Sequence, residues 1–253
     1  MVGNEKRSWG PGLRVARALA APTIPVPECP GDVQETHMTG TATPEYLMLS
    51  PVIPVVTLAE AGTAVELAQA LLRGGVRVIE VTLRNDQGLK AIEAIARQVP
   101  QMKVGAGTIL SSEDLHAAVD AGATFAVSPG VTPYMLAQAK TVRLSYLPGV
   151  ASPSELMVAL EAGYRHLKFF PAIAAGGIGM LRALAGPFPQ ARFCATGGIT
   201  AQNAPDYLQL SNVSCVGGSW LTPDDALASR DWKRIESLAA NAIALRRAAV
   251  PAL

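Results

Sequence analysis

Two charged residues stand in the middle of apolar runs, where a folded chain seldom keeps charge. The first run is Val78-Ile79-Glu80-Val81-Thr82-Leu83-Arg84 and the second is His166-Leu167-Lys168-Phe169-Phe170-Pro171. Read as strands alternating with period 2, Glu80 shares a face with Val78, Thr82 and Arg84, and Lys168 shares one with His166 and Phe170. A buried carboxylate or ammonium is costly unless it is paired or used. Removing an ammonium from water favours its neutral form, and a neutral amine attacks a carbonyl carbon to give a Schiff base. A Glu from a different strand, pointing into the same interior, makes a proton-transfer partner. The same two residues also suit a salt bridge that serves packing only.

Two later apolar runs end in glycine, as Thr196-Gly197-Gly198 and as Gly217-Gly218-Ser219. Glycine lets backbone approach a ligand closely, and amides that point outward at a helix start cradle an anion such as phosphate. Smaller polar groups close other runs: Thr108 follows Gly105-Ala106-Gly107, Pro129 lies in Ser128-Pro129-Gly130, and Pro148-Gly149 ends a fifth. Each alone is ordinary turn chemistry. Their shared position at run ends is the stronger observation.

The elements that must position these groups alternate from Pro51 onward. Eight strands are predicted: Val52 to Thr57, Arg77 to Thr82, Lys103 to Thr108, Phe125 to Pro129, Leu144 to Gly149, His166 to Pro171, Arg192 to Gly197 and Cys215 to Ser219. Their starts recur about every 19 to 26 residues, enough for a strand, a crossover helix and two short loops. Helical spacing over Ala59 to Arg73 groups Ala64, Leu67, Ala68 and Leu71, and over Asn85 to Gln98 it groups Leu89, Ile92, Ile95 and Ala96. Gly74, Gly122 and Gly163 follow three helices where a left-handed cap is favoured. The first strand runs into Leu58-Ala59-Glu60, without the glycine-rich turn of a dinucleotide-binding open sheet. The expected fold is therefore α/β, a single (β/α)8 TIM barrel, with its site at the carboxyl ends of the strands. Loops after the last two strands of such barrels often hold phosphate.

Of 253 residues, 49% are hydrophobic, 16% are charged and 5% are aromatic, so the core must be aliphatic and the chain is not a disordered one. Twenty-one basic and 20 acidic residues leave a net charge of +1 with no long run of either sign, which argues against a nucleic-acid partner and for a small ligand. Cys29, Cys194 and Cys215 fit neither a disulfide framework nor paired zinc spacing, and they point to a reducing compartment. His37, His116 and His166 are too scattered for a zinc site, so no metal is expected. No apolar stretch approaches the roughly 20 residues that span a bilayer. Residues 1–46, interrupted by six prolines between Pro11 and Pro44, read as a disordered extension ahead of a barrel over 47–253. Arg14 and Arg17 break the apolar stretch that a signal peptide needs. Met38 and Met48 offer alternative starts, and truncation to either is expected to leave activity unchanged.

The runs Gly74 to Arg84, Val104-Gly105-Ala106-Gly107-Thr108, Lys168-Phe169-Phe170-Pro171-Ala172, Cys194 to Ile199 and Gly217-Gly218-Ser219-Trp220 closely resemble 2-keto-3-deoxy-6-phosphogluconate (KDPG) aldolase. That family also includes 4-hydroxy-2-oxoglutarate aldolase activity, and the similarity covers about residues 48 to 240. The resemblance implies a cofactor-free class I aldolase on a (β/α)8 barrel, a cytoplasmic homotrimer acting in the Entner-Doudoroff pathway. It makes Lys168 the Schiff-base lysine and Glu80 the general acid/base. It assigns Arg84 and Thr108 to the pyruvate carboxylate end, with Pro129 and Phe170 lining the site, and Thr196 to a substrate contact. Gly197, Gly198, Gly218 and Ser219 match the phosphate cradle. Two positions depart from the family pattern, Ala195 where proline is frequent and Ile173-Ala174-Ala175 where the stretch is often polar and acidic. The rivals are a metal-free phosphosugar isomerase or synthase, which would keep the cradle without needing Lys168, and a non-catalytic sugar-phosphate binding protein.

Overall fold

The computed structural model describes residues 44–245, and the expectation for the extension falls mostly outside them. Nine strands alternate with helices: β1 (Val52–Val56), β2 (Val78–Thr82), β3 (Lys103–Gly107), β4 (Phe125–Val127), β5 (Ser145–Leu147), β6 (Gly149–Val150), β7 (His166–Phe169), β8 (Arg192–Thr196) and β9 (Val213–Gly218). All ladders are parallel, in the order β5-β4-β3-β2-β1-β9-β8-β7-β6. The two ends of that order are the two halves of one chain stretch. β5 pairs with β4, β6 pairs with β7, and the Lys168 N–H donates to the Pro148 carbonyl at 2.9 Å between them. The expected fifth strand is thus split at Pro148, which has no N–H to give to a ladder. The result is the expected barrel with eight strand positions.

Helix starts are written locally. Ser111 accepts from the Asp114 N–H while Asp114 accepts from the Ser111 N–H, and Ser152 and Glu155 repeat this capping box ahead of Pro153. The helix expected from Ala59 begins only at Ala64, after a 3-10 turn over Ala61–Thr63. Gly122 and Gly163 have the left-handed conformation expected of them, with φ of 82° and 91°. Gly74 does not: its φ is −74°, and the left-handed residue is Gly75 at 91°. Gly74 is glycine for another reason, since a Cβ there would lie 2.5 Å from the Ala239 side chain and the Glu236 carbonyl of the last helix, Trp232–Ala244.

Period-2 alternation sorts the strand residues between two cores. Ile79, Val81, Leu167, Phe169, Ala195 and Val216 face the helical layer. Ile53, Val78, Phe125, Val127, Leu147, Cys194 and Cys215 fill the barrel interior. A short helix, Glu45–Met48, packs into the same interior cluster through Tyr46 and Leu47. The Tyr46 ring stacks on Phe125 at 4.2 Å between centroids, and the Phe125 ring occupies the space a side chain at Gly105 would need. The division at residue 46 therefore passes through an element that completes the core. Among the described residues, no helix is long and apolar enough to cross a membrane.

A chain started at Met48 is expected to differ from one started at Met38. Only the first loses Tyr46 and Leu47, and removal of a buried aromatic typically costs about 3–5 kcal/mol. Urea denaturation of the two truncations checks this: the Met38 chain should match the full chain and the Met48 chain should unfold at markedly lower urea. Equal midpoints would mean that Tyr46 and Leu47 do not matter to the core.

Candidate active site

Glu80 and Lys168 reach the interior from β2 and β7, and the Lys168 Nζ donates to Glu80 Oε1 at 2.9 Å. Both residues are buried, 4% and 5% exposed, although 88 positions separate them. The other ion pairs among the described residues, Arg73–Glu236, Arg97–Glu93 and Arg234–Asp225, lie on the surface. Phe170 follows Lys168 on the same face, and its ring centroid is 5.3 Å from the Nζ. On β3 the backbone at Gly107 lies against the Glu80 carboxylate, so no side chain fits there. A methyl at that position would push the carboxylate off its lysine.

Gly107→Ala is accordingly expected to lower kcat by about 10²-fold, the cost of displacing a reacting group by roughly 1 Å, with little change in KM. Steady-state kinetics reads both constants, and an unchanged kcat would show that the carboxylate does no work at that position.

Above the pair, a cavity of about 360 Å³ opens at the carboxyl ends of the strands. Arg84, Phe170, Thr196, Gly197, Gly198, Gly218 and Ser219 line it, seven of the expected site residues. Arg84 makes no ion pair among the described residues, which leaves its guanidinium available to an anion. Thr108 and Pro129 follow β3 and β4 at the same end of the barrel but do not line this cavity. Thr108 is strained, with φ of 63° in a non-glycine residue, and is held there because the next residue, buried Ile109, donates its N–H to the Val127 carbonyl.

The glycines of the two last strand ends have different reasons. Gly197 and Gly198 are left-handed, with φ of 105° and 78°, a conformation that side chains resist. Gly217 and Gly218 make room for neighbours: the Thr196 hydroxyl lies over the first and the Trp220 ring over the second. The N–H groups of Gly197, Gly198 and Ser219 make no intramolecular hydrogen bond among the described residues. The helices that follow, Ala204–Leu208 and Asp224–Ala228, are only five residues each. What these two strand ends offer an anion is thus loop amides rather than a long helix dipole.

Other cavity residues escaped the sequence reading: Thr57, Thr222, Asp224 and Leu227. Thr57 ends the first predicted strand and carries the same strand-end signal as Thr108; its hydroxyl lies 2.7 Å from that of Thr82. Asp224 had no such signal, because it opens a helix beyond the glycine turn. Among the described residues, no three His, Cys, Asp or Glu side chains come together as metal ligands do.

The chain as a whole is similar to known proteins. The family model for KDPG and KHG aldolase matches residues 44–238. The chain belongs to that family. It is 48% identical over 194 residues to the 2-dehydro-3-deoxy-phosphogluconate aldolase of Pseudoalteromonas atlantica, covering 77% of this chain and 90% of the relative. It is likewise 48% identical over 203 residues to the KHG/KDPG aldolase of Escherichia coli K12, covering 80% and 95%. The KDPG aldolase of Legionella pneumophila, solved with pyruvate captured as a covalent carbinolamine, superposes with a TM-score of 0.77 at 47% identity, over 78% of this chain and 96% of that one. The KDPG/KHG aldolase frame also places the two departures. Ala195 faces the helical layer, away from the site, whereas Ile173 packs against Gly198 at the rim.

Proposed function

We propose that this chain cleaves KDPG to pyruvate and glyceraldehyde 3-phosphate through a Schiff base on Lys168, and that 4-hydroxy-2-oxoglutarate, giving pyruvate and glyoxylate, is a second substrate. It is a carbon–carbon lyase of the KDPG and KHG aldolase family. The observation that carries the residue assignment is the 2.9 Å contact between Lys168 Nζ and Glu80 in the interior, beneath the cavity.

Attack on the C2 ketone requires the amine to have given up its third proton, and Glu80 is the group in reach to take it. Loss of water from the carbinolamine gives an iminium, an electron sink next to C3. Glu80 then accepts the C4 hydroxyl proton as the C3–C4 bond breaks, the aldehyde departs and an enamine remains. Protonation at C3 and hydrolysis release pyruvate and restore the lysine. On this reading Arg84, which lines the cavity, holds the carboxylate end, aided by Thr108, with Pro129 and Phe170 beside the pyruvate unit. Thr196 faces the substrate hydroxyls, and the amides of Gly197, Gly198 and Ser219, shaped by Gly218, receive the phosphate.

An extension ahead of a barrel that begins at about Pro44, assembly as a homotrimer and a cytoplasmic location belong to the same reading. The exposed apolar side chains of Leu110 (67%) and Tyr134 (61%) support a subunit contact, which sedimentation would detect. The deciding experiment for substrate is pyruvate release from KDPG, its galactonate epimer and 4-hydroxy-2-oxoglutarate. KDPG should give the highest kcat/KM, and no release from any of the three would refute the aldolase reading.

A further inference from the structure

Beside Lys168 the barrel interior holds two thiols that the aldol chemistry does not use. Lys168, Cys194 and Cys215 are register partners across β7, β8 and β9, so the three side chains enter the interior side by side. Both cysteines are free, and both are buried. Adjacent strands run about 4.8 Å apart, inside the roughly 4.4–6.8 Å window of Cα separations that a disulfide spans. Cys194 is one side chain removed from the cavity. The Cys194 Sγ is 3.7 Å from the Thr196 hydroxyl, and Thr196 lines the cavity.

We propose that Cys194 and Cys215 form an oxidisable dithiol, closed by peroxide to a cross-strand disulfide that suspends turnover at the neighbouring Lys168. Cys194 is the residue oxidised first. Its thiol is held below the ordinary cysteine range by the adjacent Cys215, against the opposing effect of burial, with Thr196 and the Lys168 charge adding in the same direction. Cys215 is pushed the other way, by Cys194 and by burial. The Cys194 sulfur attacks hydrogen peroxide, an S–O bond forms as the O–O bond breaks, and the leaving hydroxide takes the thiol proton to become water. The Cys215 sulfur then attacks the sulfenic sulfur, the S–S bond forms, the S–O bond breaks and a second water leaves with the remaining thiol proton. Two thiols have lost two electrons, and one peroxide has gained them.

The consequence for turnover follows from the register. Side chains of register partners on neighbouring strands stand about one strand spacing apart, wider than the roughly 3.8 Å between disulfide Cβ atoms, so closure draws Cys194 toward Cys215. That movement takes β8 away from Lys168 on one side and shifts Thr196, two residues further along the same face. A bond formed against strand spacing is also readily reduced, which makes the state reversible. The effect on turnover rests on the aldolase reading of Lys168; formation of the disulfide does not.

The test uses the full chain with Cys29→Ser, so that Cys194 and Cys215 are the only thiols. Pyruvate release before treatment checks the aldolase reading by itself. After hydrogen peroxide, a thiol titration under denaturing conditions should fall from two to zero. Activity should drop by about 10²-fold, as for a displaced reacting group, and dithiothreitol should restore both. Adding Cys215→Ala should keep the untreated activity and prevent the disulfide, so that peroxide raises the intact mass of this chain by oxygen where that of the Cys29→Ser chain falls by two hydrogens. Should that variant fold poorly, the intact mass of the peroxide-treated Cys29→Ser chain, lower by two hydrogens, reads the disulfide directly. Two thiols still titrating after treatment, a gain of oxygen in place of the two-hydrogen loss in the Cys29→Ser chain, or a disulfide with unchanged activity would each overturn the proposal.

Discussion

Lys168→Met is expected to reduce KDPG cleavage by at least about 10⁴-fold, the scale on which covalent catalysts lose rate when the nucleophile is removed. Methionine keeps most of the lysine volume and cannot form an iminium. Borohydride reduction in the presence of pyruvate supplies an independent reading. The unaltered chain should gain a covalent adduct on the peptide that contains Lys168, and the variant should gain none. Aldol cleavage that survives in Lys168→Met, or an active protein that borohydride never traps, would remove the Schiff-base route and favour a barrel that handles phosphosugars without a nucleophile. The substitution also leaves Glu80 buried without its cation, so a folding measurement must accompany the rate. An inactive but folded variant supports chemistry; an unfolded one returns the pair to the packing reading.

Glu80→Gln should lower kcat by about 10²–10⁴-fold, the range over which positioned acid–base groups act. The amide keeps the shape and still accepts from the Lys168 Nζ, but it cannot take the C4 hydroxyl proton. KM should change little, because the residue is placed to act on a proton in transit. The packing reading makes a different forecast. Breaking one side of a buried ion pair typically destabilises by about 3–5 kcal/mol, while replacing both partners with apolar residues is often neutral. Glu80→Leu alone should therefore unfold at lower urea than the unaltered chain, and Glu80→Leu with Lys168→Met should recover most of the loss while remaining inactive. If the double variant turned over substrate, neither residue would be catalytic. If Glu80→Gln kept full activity, proton transfer would belong to another group.

Much of this site was legible because strand alternation is local. Parity within Val78 to Arg84 and within His166 to Pro171 already put Glu80 and Lys168 on faces opposite their apolar neighbours, and the structure keeps that parity at both. The repeat of strand and helix was legible for the same reason, as was the bunching of polar residues at strand ends. Where a residue's role depends on a distant neighbour, local reading failed. Gly74 looked like a left-handed cap, but its conformation is helical and its lack of a side chain serves Ala239, which is 165 positions away in sequence. Tyr46 sat among prolines and read as part of the extension, because only the ring of Phe125 shows that it belongs to the core. Asp224 joined the cavity only through the turn after β9.

What the sequence determined by itself was the inventory and its facing: an aliphatic barrel, one interior lysine, one interior glutamate and glycine-rich ends on the last two strands. Period 2 along a strand depends on backbone geometry alone, so these needed no partner to be read. What only the tertiary structure decided was proximity. Closure through the split strand at Pro148 brings β2 and β7 to opposite sides of one narrow interior, where their charges meet at 2.9 Å. The same closure sets Cys194 and Cys215 in register beside Lys168. Register between strands is set by hydrogen bonding and packing across the barrel, and no spacing along the chain encodes it.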